Sequence, residues 1–238
     1  VPPALVLCSG YIADAKSPRP VGLVSRAISR GVGFGPGEIV FLDVDQTEAL
    51  APGAQFSVIR PGDPVVHPRT GRRVGPLVET VATVTVEAIE ARLVRARIVQ
   101  ACGQVHLGDA LIPARPLPVP VRTDGEAAAP IEGTLIAARD RRVSTGAEYI
   151  AYIDLGADQG IAPGDLFAVY RPPETARLRG DSPFRPQREA IPPTPIGEVM
   201  VVRTSARSST VLITRSAEDL SVGLRVFLSR KAGPGAPK

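Results

Sequence analysis

The chain has 238 residues, with 28 Lys and Arg against 24 Asp and Glu for a net charge of +4. No apolar run approaches the roughly 18 residues that a membrane-spanning helix needs, and so mild a positive excess is no signature of nucleic-acid binding. Aromatic residues make up 4% and tryptophan is absent, which argues against single-strand nucleic-acid platforms, because these stack bases on aromatic rings.

Val1-Pro2-Pro3 has neither a charged stretch nor an apolar run after it of the kind a secretory signal carries. It reads as a chain entered partway, so the compartment stays open. Residues 5–15 are expected to begin as an apolar strand, and Val21–Ala27 reads as another. Gly31–Gly37 looks like a phosphate loop but precedes a strand, and no Lys-Ser/Thr follows, so it is read as a connection. Ile39–Val44 and Gln55–Arg60 alternate with period two, as half-buried strands do. Between them Ala51-Pro52-Gly53 places proline at i+1 and glycine at i+2, the requirement of a type II turn.

Gly62–Pro76 is read as a loop or hairpin tip carrying Arg69, Arg72 and Arg73. Leu77–Glu90 is a long alternating strand, Ala91–Gln100 returns antiparallel, and Val105–Asp109 turns into Ala110–Pro113. Residues 114–130 are Pro-rich, then Gly/Ala-rich, and read as a linker. The expected organisation is a first unit over 1–113, the linker, a second unit over 131–229 and a mobile basic tail over 230–238.

The chain states one pattern twice. Residues 39–61 (IVFLDVDQTEALAPGAQFSVIRP) align without a gap on 150–172 (IAYIDLGADQGIAPGDLFAVYRP), at a constant offset of 111. Asp43/Asp154, Pro52/Pro163, Gly53/Gly164, Phe56/Phe167, Val58/Val169 and Arg60/Arg171 are among the identities. A second block, 82–108 onto 197–223, aligns at offset 115 through Val84/Val199, Val86/Val201, Ile98/Ile213 and Gly108/Gly223. Cys8-Ser9-Gly10-Tyr11-Ile12 is matched to Ile131-Glu132-Gly133-Thr134-Leu135. Such self-similarity marks a repeated structural unit. Short strands punctuated by Gly/Pro turns predict an all-β protein of two tandem, related small barrels or rolls, mostly antiparallel.

Candidate chemistry is sparse. Asp43 and Asp154 close a strand in each unit and are read as structural acids bonding nearby backbone N–H groups, with Pro52, Gly53, Pro163 and Gly164 forming the turns. Arg60 and Arg171 are read as members of a structural ion pair. Cys8 and Cys102 fall on strands that a closed sheet can bring together, so two readings stand: a disulfide, or two buried small hydrophobes. His67 and His106 have no Cys, Asp or His at ligand spacing, and no serine has the setting of a nucleophile. No catalytic residue, metal or cofactor is expected. The partner-contact candidates are the loop arginines Arg69, Arg72 and Arg73, and Arg177, Arg179, Arg185 and Arg188 in the segment 172–195.

The two Ala-Pro-Gly turns, the run Phe-x-Val-x-Arg-Pro after each, and His67-Pro68-Arg69-Thr70-Gly71 together resemble one family of bacterial envelope proteins. In that family a peptidoglycan-binding LysM module precedes a region like the C-terminal domain of flagellar assembly protein T, and it includes proteins associated with the type IV pilus secretin. The resemblance covers about 9–113 and 131–229. It implies an exported, periplasmic, outer-membrane-associated scaffold contacting a secretin or flagellar basal-body ring, with no enzymatic activity, no nucleic acid and no membrane span. No LysM segment is seen here, so contact with peptidoglycan would fall to a module outside this chain, and the second unit lacks the His-Pro-x-Thr-Gly stretch. The alternative from another class is a double β-barrel that binds nucleic acid or the ribosome.

Overall fold

Alternation decides the strands. On β3 (Ile39–Val44) Val40, Leu42 and Val44 are buried, while Phe41 and Asp43 between them are not. Burying one face of a strand while wetting the other is what a period of two achieves, and each buried aliphatic side chain contributes about 1.5–3 kcal/mol. The computed structural model describes residues 1–45, 47–90, 93–122, 125, 126, 131–172, 175–177, 188–190 and 192–231. They form two compact units, the first of Val1–Val65 and Arg73–Val119. The second contains Val66–Arg72 as well as the chain from Pro120 onward.

The first unit opens with a helix, α1 (Pro3–Cys8), followed by β1 (Tyr11–Ile12), β2 (Gly22–Ala27), β3, β4 (Gln55–Val66), β5 (Arg73–Glu90), β6 (Leu93–Ala101) and β7 (Ala110–Pro113). The expected strand at residues 5–15 is thus a helix with only two residues of strand after it. Ala4-Leu5-Val6-Leu7 is continuous rather than alternating, so periodicity could not separate the two readings. Proline at the first helical turn, already fixed near helical φ, decides for the helix.

Pairing runs β2–β3–β6–β5–β4–β7 and back to β2, a closed antiparallel barrel of six strands. Its interior is filled by a cluster that includes Val24, Phe34, Leu42, Phe56, Val84, Ile98 and Leu111. Outside the barrel, Tyr11 packs with Ile59, Val78 and Ile112, so the opening segment covers apolar residues on outward strand faces.

The second unit comprises β8 (Gly125–Glu126), β9 (Glu132–Ala138), β10 (Ser144–Thr145), β11 (Ile150–Ile153), β12 (Leu166–Tyr170), β13 (Thr175–Arg177), β14 (Arg188–Ala190), β15 (Pro195–Thr204), β16 (Ser209–Ser216), β17 (Leu220–Ser221) and β18 (Arg225–Lys231). Its large sheet pairs β9–β11–β16–β15–β12–β18 and back to β9, with β8 added along the end of β18. Two corrections to the expected boundaries follow. Gly125–Glu126, assigned to the linker, and Arg230–Lys231, assigned to a mobile tail, pair with each other as strands. The hairpin tip at 66–72 belongs with the second unit.

The two circuits coincide down to the register. Ile39 lies opposite Arg97, and Ile150 opposite Leu212. Ala82, Val84 and Val86 lie opposite Ala101, Ile98 and Ala96, while Gly197, Val199 and Val201 lie opposite Ser216, Ile213 and Val211. Every one of these pairs obeys the two sequence offsets, and the register shift after Thr83 recurs after Glu198.

The match corrects one alignment. Gly22 pairs with Leu111 on β7 and Gly133 with Val226 on β18, so Gly133 corresponds to Gly22 and not to Gly10. Residues 1–15 are therefore an addition to the first unit. The shared Gly-x-[Ile/Leu] look of 10–12 and 133–135 was too short to fix the correspondence without the ladder.

Both Ala-Pro-Gly turns form as expected. Gly53 and Gly164 have φ of +92° and +97°, and the N–H groups of Ala54 and Asp165 donate to the carbonyls of Ala51 and Ala162. At a third such position the units differ: Gly37 has φ +85°, and its counterpart Glu148 adopts φ +67°. The left-handed region crowds Cβ against the following carbonyl. Glu148→Gly is expected to raise stability by roughly 0.5–1 kcal/mol, the relieved strain exceeding the added chain entropy. Urea denaturation would check it, and a loss of stability would refute it.

Candidate functional site

Within the second unit, polar side chains gather around a cleft of about 490 Å³ lined by His67, Arg69, Thr70, Glu132, Gly133, Thr134 and Asp154. The tip residues reach it through a tight turn, in which the His67 N–H donates to the Arg72 carbonyl and the Gly71 N–H to the His67 carbonyl. Gly71, at φ +69°, supplies the left-handed residue the turn needs.

The His67 ring is engaged at both nitrogens. Nδ1 faces the N–H groups of Arg69 and Thr70 at 3.2 and 3.3 Å, so it accepts, and the proton sits on Nε2. That N–H donates to Asp154 Oδ2 at 2.9 Å. The other carboxylate oxygen of Asp154 accepts the Thr134 backbone N–H at 2.5 Å. Glu132, on the rim, lies 2.9 Å from Arg225 and 3.9 Å from Arg69.

A histidine with its acceptor nitrogen turned into its own loop offers no free base to the cleft. The arrangement orients and clasps. Alanine at His67 and at Asp154, singly and together, should show a coupling of roughly 0.5–3 kcal/mol in a double-mutant cycle on urea stability. Additive losses would show that the two side chains do not act as a pair.

The acids expected to bond backbone N–H groups divide. Asp154 does so, through Thr134, whereas Asp43 is an exposed residue of β3. The recurrent arginines are both ion-paired, with acceptors drawn from different places. Arg60 grips Asp109 through Nε at 2.9 Å and Nη2 at 2.7 Å, and also donates to the Gln104 carbonyl. The hydrogen bond to Asp109 is the chief cause that raises the pKa of Arg60, against the opposing effect of burial. Arg171 instead meets Glu218, at 3.1 and 2.5 Å. Position 109 of the first unit corresponds to Leu224 of the second, so the second unit takes its acid from the other side of that turn.

Cys8 and Cys102 form a disulfide, with Cα atoms 5.3 Å apart. Cys8 supplies it from α1 rather than from a strand. Of the partner-contact arginines, Arg69 stands near Glu132, and Arg72 and Arg73 are exposed. Arg177 and Arg188 are backbone partners in the β13–β14 ladder, and Arg179 and Arg185 lie outside the described residues. Among the described residues no group of three or more His, Cys, Asp or Glu is placed to hold a metal ion.

Sequence reading missed Glu132, Thr134 and Arg225, because nothing local announces that the loop at 66–72 folds against them. Asp109 was legible in part: the turn from Val105 to Asp109 was expected, and the Asp109 carboxylate accepting the His106 N–H is the usual way aspartate builds such a turn. No protein-family model matches the chain, and no curated protein matches it.

Proposed function

We propose that this chain is a non-catalytic assembly module of the bacterial cell envelope, exported to the periplasm and docking on a larger protein ring of the secretin or flagellar basal-body kind. The observation that carries the reading is the disulfide. Both cysteines of the chain are spent on one bond that closes a span of 94 residues, and such cross-links persist in oxidising compartments. The absence of a free base on His67 favours a structural over a catalytic role for the cleft. Exposed Arg72 and Arg73 offer guanidinium donors to an acidic partner surface. Two units with one circuit and one register fit duplication of a single β-unit kept for its shape.

The test is cell fractionation with thiol trapping, followed by purification from membranes in mild detergent. A periplasmic chain with no reactive thiol, co-purifying with a ring-forming protein, is the expected result. Recovery from the cytosol with both thiols reduced would end this reading.

A further inference from the structure

Barrels bury most of their valines, and among the described residues three stand largely bare: Val121, 75% exposed, and the two that follow. Val32 is 90% exposed and Val143 is 80% exposed. They occupy the same place in their respective units. Phe34 bridges to Val105, and Thr145 pairs with Leu220; Val32 and Val143 each lie two residues before the first partner. Two residues beyond the second partner come Leu107, itself 54% exposed, and Val222, whose N–H donates to the Val143 carbonyl. Each unit thus ends one short two-stranded spur in an exposed valine, beside exposed Leu107 in the first and partly buried Val222 in the second.

Cationic and interfacial groups stand beside both. In the first unit exposed Arg30 precedes Val32 on the loop that also carries Ile28, 60% exposed. The acid of that loop, Glu38, stays at the surface and accepts the Ser29 hydroxyl and the Gly35 N–H, both at 2.6 Å. In the second unit exposed Arg142 holds its guanidinium 5.1 Å from the centre of the Tyr149 ring, a residue 41% exposed.

We infer that each spur is a membrane-surface anchor, in which the valine enters the edge of an anionic bilayer while the arginine meets its phosphates. An aliphatic tip with arginine at its base, joined in the second unit by tyrosine, suits a membrane interface. A protein partner is the poorer fit, because valine and leucine are under-represented among residues that anchor protein interfaces. The anchor is peripheral, and its claim is independent of any ring partner.

The chain has no tryptophan, so a single one reports its own surroundings. Val32→Trp and Val143→Trp, made separately in the full chain, should shift their emission to the blue with vesicles of phosphatidylglycerol and phosphatidylcholine. Brominated acyl chains should quench both. Val99→Trp, at a half-exposed position on β6, should do neither. Sedimentation with the same vesicles should fall about tenfold in the double variant Val32→Asp/Val143→Asp, and should weaken as salt screens the arginines. Circular dichroism confirms that the variants fold. No blue shift at either valine, an equal shift at Val99, or undiminished sedimentation of the double variant overturns the inference. Tips that capture a protein while ignoring vesicles overturn it too.

Discussion

Replacing Cys8 and Cys102 by serine should cost the first unit about 3–4 kcal/mol. The bond joins residues 94 apart, and closing a loop of that length removes entropy from the unfolded chain worth roughly 4–5 kcal/mol in the loop-closure treatment. The measured loss should be smaller, because denatured chains are already compact. The bond also holds α1 and β1 in place, and with them Tyr11 over Ile59, Val78 and Ile112. Guanidinium melts with and without reductant would measure the effect. A change below about 0.5 kcal/mol would mean that the opening segment stays docked by packing alone.

Alanine at Gly22 and at Gly133 tests whether equivalent positions carry equivalent constraints. At Gly22 a Cβ would lie 2.2 Å from the Asp43 carbonyl oxygen and 2.9 Å from the Val44 Cα. Both are backbone atoms of the neighbouring strand, so the β2–β3 ladder itself must open, at a cost of about 3 kcal/mol or more. At Gly133 the nearest atoms are Leu155 Cδ1 at 2.6 Å and Asp154 Oδ1 at 2.8 Å. These are the ends of side chains and can rotate, so roughly 1–2 kcal/mol is expected there. Gly133→Ala should also loosen the clasp on His67, since it displaces the carboxylate that accepts from that ring. Thermal or urea melts of the two variants would decide, and equal losses would contradict the distinction.

The strands were legible because their chemistry is local. Val40, Leu42 and Val44 alternate with residues that tolerate water, and Pro52-Gly53 and Pro163-Gly164 carry their turn geometry in two residues each. The two gapless offsets aligned the units on each other, and the ladders of both units follow that alignment. The opening segment was misread because a continuous apolar run fits helix and strand alike, and its outward-facing partners Ile59, Val78 and Ile112 belong to three separate strands.

What the sequence determined by itself was the all-β fold: its strands, turns and alternating faces, governed by short-range periodicity and by the φ each turn demands. Tertiary structure alone decided which partners the charged and sulfur-bearing side chains found. Asp109 for Arg60, Glu218 for Arg171, Cys102 for Cys8 and Asp154 for His67 lie between 47 and 94 positions away. Such pairings depend on how closed sheets bring distant strand ends together, which no local pattern encodes.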